Sequence, residues 1–207
     1  LVTAGPTREN IDPVRYLSNE SSGKQGYEIA KAFTKLGFET TLISGPTNLK
    51  ELDNVKTIKV KTAKEMYEAT INSLPVDVAI FSAAVSDWKM KNFEKNKIKS
   101  ESTLNIRLEK NVDILKSVSN HNSLRPKIVV GFAAETENLI DNSKKKLNEK
   151  NCDWIIANNV SDPSIGFDSD ENEITIFDKS NKMEKIKKNS KSVIAEEIVK
   201  RVLKNIN

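Results

Sequence analysis

Cysteine and histidine are almost absent from this chain of 207 residues, which holds one of each, Cys152 and His121. A lone cysteine excludes an intramolecular disulfide, and one Cys with one His leaves too few ligands for a zinc site. Cys152 stands between Asn151 and Asp153 at the start of an apparent buried strand, and His121 lies in a polar loop. A catalytic Cys–His pair is therefore not expected. A Ser/His/Asp arrangement cannot be assembled around one loop histidine, and no close carboxylate pair suggests glycoside chemistry. Long apolar runs are missing too. None approaches the ~20 residues that cross a bilayer, and Leu1-Val2-Thr3 followed by Gly5-Pro6 makes no signal-peptide core. The chain starts inside its first apparent strand, which reads as a natural N-terminus that is cut or longer. These absences predict a cytoplasmic protein with no membrane partner. The common phosphate signatures are also lacking: there is no GxxxxGK[ST], and Gly23-Lys24-Gln25-Gly26 is not GxGxxG. Aromatics make up only 6% of the chain and do not interleave with the lysines, so a base-stacking surface and a nucleic-acid partner are not expected.

What is present is ordinary for a soluble domain: 30% charged and 37% hydrophobic residues, with a net charge of +4. The length suits one large domain spanning residues 1–207. Strand and helix signals alternate. After Leu1-Val2 and a turn-rich segment, a helix with Ile29, Phe33 and Leu36 on one face runs to a stop at Gly37. Strands are expected at 40–43, 56–60, 76–81, 127–132 and 153–157. Helices are expected at 62–73, with Thr62 as cap and Glu65 three residues on, at 137–150, and at 190–203. Two long connections interrupt the pattern: 82–109, ending in a strand at 104–108, and 158–178, with a short strand at 173–177. The alternation predicts a Rossmann-like α/β fold: an open, mostly parallel sheet with helices on both faces, plus a flap-like loop-strand extension.

In open α/β sheets ligands bind beyond the carboxyl ends of the strands, and each polar cluster follows a strand. The first is Ser18-Asn19-Glu20-Ser21-Ser22-Gly23-Lys24, just ahead of a helix. Its backbone N–H groups and the helix dipole suit a phosphate or carboxylate. The plainer reading makes Ser21 or Ser22 the N-cap and Gly26 a close-packing position. Asn19 adds an amide that a pure phosphate cradle does not need. The second cluster carries Asp87 and Lys97. An aspartate beyond a buried strand can hold Mg²⁺ through water or accept bonds from a sugar or base. A loop lysine can reach over a polyphosphate, although a turn former and a solvated charge describe the pair equally. In the third, Gly131-Phe132-Ala133-Ala134-Glu135-Thr136, small residues admit a ligand and Phe132 can stack on a base. Glu135, just ahead of the helix, complements its dipole. On the 137–150 helix, Leu139, Ile140, Ser143 and Leu147 form the inward stripe. Lys146 and Lys150 fall within about 40° of each other at its edge, at about 100° per residue, and Lys145 points away. Amides, lysines and a helix N-terminus suit positioning and charge stabilisation in phosphoryl or acyl-phosphate chemistry.

Taken in order, Thr3-Ala4-Gly5-Pro6-Thr7-Arg8-Glu9, Ile11-Asp12-Pro13-Val14-Arg15-Tyr16, Ser18-Asn19, Ser21-Ser22-Gly23-Lys24, Ala83-Ala84-Val85-Ser86-Asp87-Trp88, Lys97-Ile98-Lys99, Gly131-Phe132-Ala133-Ala134-Glu135-Thr136, Ala157-Asn158-Asn159-Val160-Ser161 and Gly166-Phe167-Asp168-Ser169-Asp170 resemble phosphopantothenoylcysteine synthetase of coenzyme A biosynthesis. The resemblance runs over nearly the whole chain. It implies a homodimeric ligase that joins 4′-phosphopantothenate to L-cysteine. The bacterial branch uses CTP and Mg²⁺ and passes through an acyl-cytidylate; the eukaryotic branch uses ATP. The wording here is nearer the bacterial branch, so CTP is expected. The resemblance also implies a fused or associated flavin-dependent decarboxylase, which leaves open a free-standing enzyme or one half of a bifunctional protein. By position it gives Asn19 the acyl-phosphate centre and Lys97 the triphosphate as catalytic residues. Asp87, Asn111, Asp113, Ile114, Phe132, Lys146 and Lys150 fall to the nucleotide, and the metal is bridged by nucleotide phosphates, with Asp87 a candidate ligand. Ser21, Ser22, Gly23 and Lys24 are read as the seat of a substrate phosphate or carboxylate. Val112 departs from the family's usual proline and leaves that turn less fixed. Cys152 needs no role, because the substrate is the free amino acid. Two other classes stand beside this reading: an NAD(P) oxidoreductase, which lacks its glycine fingerprint here, and a non-catalytic nucleotide-binding partner of a flavoprotein.

Overall fold

The structure, a computed structural model, describes residues 1–99, 104–160, 169–180 and 182–206. In chain order the strands and helices are β1 (Val2–Ala4), β2 (Arg8–Asn10), β3 (Tyr16–Ser18), α1 (Lys24–Lys35), β4 (Thr41–Ser44), β5 (Lys56–Lys59), α2 (Ala63–Asn72), β6 (Val78–Phe81), β7 (Trp88–Met90), β8 (Leu108–Lys110), α3 (Ile114–Ser119), β9 (Ile128–Glu135), α4 (Leu139–Lys150), β10 (Trp154–Asn159), β11 (Glu171–Asp178), β12 (Met183–Ser190) and α5 (Lys191–Ile206). Eight strands form one sheet in the order β12-β11-β10-β9-β6-β1-β4-β5. Pairing is parallel from β5 through β10 and antiparallel at β11 and β12.

The period-two alternation of the central strands sends side chains to two cores. On β9, Ile128 and Val130 join one buried cluster with Ile29 and Phe33 of α1 and Ile194 and Ile198 of α5. Val129 and Ala133 join the other, with Met66 of α2, Val118 of α3 and Leu147 of α4. A sheet buried on both faces needs apolar residues at every position, which is why these strands read as continuous hydrophobic runs. The expected α/β architecture is therefore present, with helices on both faces. After β1 the chain turns one way to β4 and later returns on the other side to β6. Such a reversal opens a crevice at the carboxyl edge of the sheet.

Several boundaries differ from expectation for local reasons. The turn-rich opening is a hairpin, with Glu9 of β2 opposite Leu17 of β3. The 82–109 connection carries a second hairpin, Trp88 opposite Lys110, so its strand lies at β8 and not at 104–108. β9 runs on through Ala133, Ala134 and Glu135 because β10 continues to pair with it, Asn159 lying opposite Glu135. Those residues end a strand and do not form a loop ahead of a helix. β12 was hidden among lysines: of its side chains only Ile186 packs on the core, and lysine-rich sequence is typical of an exposed edge. Leu36 and Ile140 were expected inside but are exposed, because each sits at a helix end. The Thr62 cap of α2 is as expected, its hydroxyl accepting the Glu65 N–H at 3.1 Å. Ser161 and the Gly166-Phe167-Asp168 block lie outside the described residues.

Candidate active site

A cavity of about 610 Å³ opens over the crevice. Thr3, Phe81 and Phe132 form its floor, the start of α1 one wall, and the 82–88 segment with residues 110–115 another. α4 contributes Lys146 and Lys150, and Asn158, Asn172 and Lys191 complete the lining, the last two hydrogen-bonded to Gln25 of α1. Four expected clusters thus meet in one place. Ser21, Ser22, Gly23, Lys24, Asp87, Asn111, Asp113, Ile114, Phe132, Lys146 and Lys150 all line the cavity. Asn19 and Lys97 do not. Asn19 is exposed and sits against the rim, its Nδ2 donating to the carbonyl of Ala84, a lining residue, at 3.0 Å.

Neither Ser21 nor Ser22 caps α1. The cap position is Gly23, at φ 79°, a left-handed conformation that glycine adopts without strain. Gly23 has no side chain to offer the helix, so the positive end of the α1 dipole meets the cavity. Gly26 brings that helix start down onto β1: a Cβ there would stand 2.6 Å from the Ala4 methyl and 2.5 Å from Ser82 Oγ.

The opposite wall is held by hydrogen bonds that the sequence did not announce. The Asn111 N–H donates to the Asp87 carbonyl at 2.8 Å, and its Nδ2 donates to the Ser86 carbonyl at 2.9 Å. Two residues on, Asp113 caps α3, its Oδ1 accepting the Lys116 N–H at 2.9 Å, while its Oδ2 takes the Lys150 ammonium. Val112 therefore sits in a turn fixed at both ends despite lacking proline. Lys146 pairs with Glu135 Oε1 at 2.7 Å, and Glu135 Oε2 accepts Asn142 Nδ2 at 3.0 Å. Glu135 is thus a partner for Lys146 and not a helix-dipole residue. Lys145 points outward and pairs with Glu149 one turn on, as the helical spacing indicated.

The opening segment is stitched to the 82–86 loop. Thr7 Oγ1 accepts the Ser86 N–H at 2.9 Å, and the Ala84 N–H donates to the Gly5 carbonyl at 3.0 Å. Next to Lys97, a second clip is built around Asp12, whose side chain is fully buried. It accepts the N–H groups of Val14 and Arg15 at 2.8 Å each and that of Ile98 at 3.1 Å. The Arg15 guanidinium bonds both Asp12 and the Ile98 carbonyl, each at 2.6 Å. Burial raises the Asp12 carboxyl, but these hydrogen bonds outweigh it and hold the group far below the usual carboxylate range. The segment carrying Lys97 is thereby fastened to the loop that precedes β3.

Cys152 is fully buried, and burial pushes its thiol up to about 12. At neutral pH it is protonated and a poor nucleophile. His121 Nδ1 accepts the Leu124 N–H at 3.1 Å. Neither lines the cavity. Among the described residues no group of three or more His, Cys, Asp or Glu is placed to hold a metal, and no helix is long and apolar enough to cross a membrane.

Comparison with known proteins gives a consistent match. The sequence model of the family described as the DNA/pantothenate metabolism flavoprotein C-terminal domain covers residues 1–206. The coenzyme A biosynthesis bifunctional protein CoaBC of Haemophilus influenzae is 45% identical over 204 residues, which are 98% of this chain and 50% of that protein. The chain thus spans about half the length of the curated relatives it matches. The crystal structure of the C-terminal domain of a CoaBC protein superimposes with a TM-score of 0.81 at 39% identity, covering 97% of this chain and 91% of the other. The DNA/pantothenate metabolism flavoprotein from Streptococcus pneumoniae also gives 0.81, at 25% identity and 98% and 97% coverage.

Proposed function

Because the chain belongs to the family of the DNA/pantothenate metabolism flavoprotein C-terminal domain, we propose that it is a ligase of coenzyme A biosynthesis, joining 4′-phosphopantothenate to L-cysteine with CTP. One observation carries the assignment of the site: a single cavity joins the uncapped start of α1 to Asp87, Asp113, Phe132, Lys146 and Lys150. An anion-seeking helix start and groups suited to a nucleoside line the same cavity.

In this reading the nucleoside lies against Phe132, with the 111–114 turn and Asp87 at its sugar and base, and Lys146 and Lys150 turn from Glu135 and Asp113 toward the ligand. The Ser21–Lys24 segment receives the phosphate or carboxylate of phosphopantothenate, and Lys97 approaches the triphosphate from outside the cavity. An oxygen of the phosphopantothenate carboxylate attacks the α-phosphorus of CTP and pyrophosphate leaves. The acyl carbon of the resulting acyl-cytidylate is then attacked by the cysteine amine. The amine loses a proton, the C–O bond to CMP breaks, and the amide product forms. Asn19 stabilises the developing oxyanion. One Nδ2 hydrogen is held by Ala84, which orients the amide, and the second remains to donate. Mg²⁺ supplies charge neutralisation on the phosphates when bound. Among the described residues the cavity is lined by the carboxylates of Asp87 and Asp113 and by no group of three or more metal-binding side chains, so Asp87 would hold such a cation together with phosphate oxygens and water.

Homodimerisation belongs to the same proposal. It is supported by the exposed apolar side chains Val14 and Tyr16 near the first hairpin and Trp88 and Leu108 on the second. So does action beside a flavin-dependent decarboxylase, supported by the bifunctional name of the relatives.

The test is turnover by the purified chain with phosphopantothenate, cysteine and either CTP or ATP. CMP and pyrophosphate are expected with CTP, only when phosphopantothenate is present. AMP in its place would assign the ATP-dependent ligase, and no ligation with either nucleotide would sink the proposal. Asn19→Asp should retain CTP affinity while lowering kcat by about tenfold or more; unchanged kcat would remove Asn19 from the reaction.

A further inference from the structure

Asn19 is exposed, so packing does not fix the amide on which the proposed reaction relies. Its placement rests on hydrogen bonds, and these lead back to Thr7, which is fully buried. A buried threonine needs partners for its hydroxyl and its backbone groups, and all three polar atoms of Thr7 are used. Its N–H donates to the Ala84 carbonyl at 3.2 Å. Its Oγ1 accepts the Ser86 N–H at 2.9 Å. Its carbonyl accepts the Ser18 hydroxyl at 2.8 Å. Asn19 Nδ2 then donates to the same Ala84 carbonyl at 3.0 Å. The bonds close a ring, from Thr7 to Ala84, from Ala84 to Asn19, along the chain to Ser18, and from Ser18 back to Thr7.

The ring is tied to the sheet on one side and to α2 on the other. Beyond β1 and β6, Pro6 and Ala84 form a parallel bridge, and the Ala84 N–H donates to the Gly5 carbonyl at 3.0 Å. The first hairpin is pinned to the α2 start: the Arg8 N–H donates to the Lys61 carbonyl at 2.8 Å, and Glu9 Oε1 accepts the Ala63 N–H at 2.8 Å. Thr7 is where the sheet edge, the hairpin and the 82–86 loop meet. Of its three bonds only the one to Ser86 is made by the side chain. Valine in its place keeps nearly the same shape and lacks the acceptor, so the backbone need not change for that bond to be lost. The Ser86 N–H then loses its partner, and the loop that presents the Ala84 carbonyl to Asn19 loosens. The nucleotide side of the loop has its own support, since Asn111 bonds the Ser86 and Asp87 carbonyls at 2.9 and 2.8 Å. The effect should therefore fall on Asn19 and not on Asp87.

We propose that Thr7 is a positioning residue, which through Ser86, Ala84 and Ser18 holds the Asn19 amide at the reacting acyl group. Its part in turnover rests on the ligase reading; its hold on the Asn19 amide does not. Steady-state kinetics of Thr7→Val, Thr7→Ser, Asn19→Ala and the Thr7→Val/Asn19→Ala pair test it, with thermal melts confirming folding and nitrogen–proton correlation spectra reporting the Asn19 side-chain amide. Thr7→Val should lower kcat by about three- to thirtyfold and leave KM for CTP within about twofold, and Thr7→Ser should recover most of the loss. Once Asn19 is alanine, Thr7→Val should cost less than about twofold more, because the group it positions is gone. An unchanged kcat, or a loss of the same size with and without Asn19, overturns the assignment. The Asn19 amide signals, identified by their absence in Asn19→Ala, should shift in Thr7→Val and return in Thr7→Ser; signals that do not move overturn it as well. Should Thr7→Val not fold, Ser18→Ala opens the ring from its exposed side and is read by the same kinetics and spectra. If the parent chain ligates with neither CTP nor ATP, the ligase reading falls, and the amide spectra alone decide whether Thr7 positions Asn19.

Discussion

At the scale of single residues, Gly26 shows how closely the fold and the site are joined. The α1 start lies low over β1 only because nothing projects from Gly26. An added Cβ would stand 3.1 Å from the Thr3 carbonyl and under 3 Å from both the Ala4 methyl and Ser82 Oγ. Gly26→Ala should therefore lift the helix start, costing about 1–3 kcal/mol. That corresponds to a Tm lower by roughly 2–12 °C for a chain of this size, with a parallel loss of affinity for phosphopantothenate. An unchanged melt would mean that the packing relaxes freely there. The close-packing role was legible in the sequence, since a glycine inside an amphipathic helix asks for a neighbour. The choice of Lys146 and Lys150 over Lys145 was legible too, from helical spacing alone. Lys191 was not, because a lysine in a lysine-rich stretch carries no local mark of burial. Its burial comes with the meeting of α5 and α1, where Gln25 donates to its carbonyl.

Among the elements, the central parallel strands announced themselves because both their faces are buried. The short hairpins β2–β3 and β7–β8 and the edge strand β12 did not, since their side chains are largely solvated and periodicity fades without a buried face. The Asp12 clip belongs to this scale. It joins the loop ahead of β3 to the segment bearing Lys97 through one buried carboxylate. Because its folded pKa lies below the ordinary value, the clip contributes stability above the ordinary carboxylate range and loses it as pH falls toward the folded value. Asp12→Asn removes that dependence. The variant should show faster amide hydrogen exchange across residues 92–99 at neutral pH and a higher KM for the nucleotide, with α1 and the central strands exchanging as before. Equal exchange in parent and variant would show that the clip does not hold the segment.

For the whole molecule, the apolar side chains left outside the two cores bear on assembly. Val14 is 61% exposed and Phe93 51% exposed, in the loop between β2 and β3 and in the segment beyond β7. Light scattering at micromolar concentration should give the mass of two chains, and Val14→Asp should shift it toward one. A single-chain mass for the parent protein would contradict the proposed homodimer.

The chemistry proposed for the cavity can be followed through one oxygen atom. If the phosphopantothenate carboxylate attacks the α-phosphorus of CTP, that oxygen bridges acyl carbon and phosphorus until the cysteine amine displaces CMP. With the carboxylate labelled by heavy oxygen, mass spectrometry of the products after one turnover should find one labelled oxygen in the phosphate of CMP and none in pyrophosphate. Label in pyrophosphate or inorganic phosphate, or unlabelled CMP beside authentic ligation product, would contradict an acyl-cytidylate formed in this site.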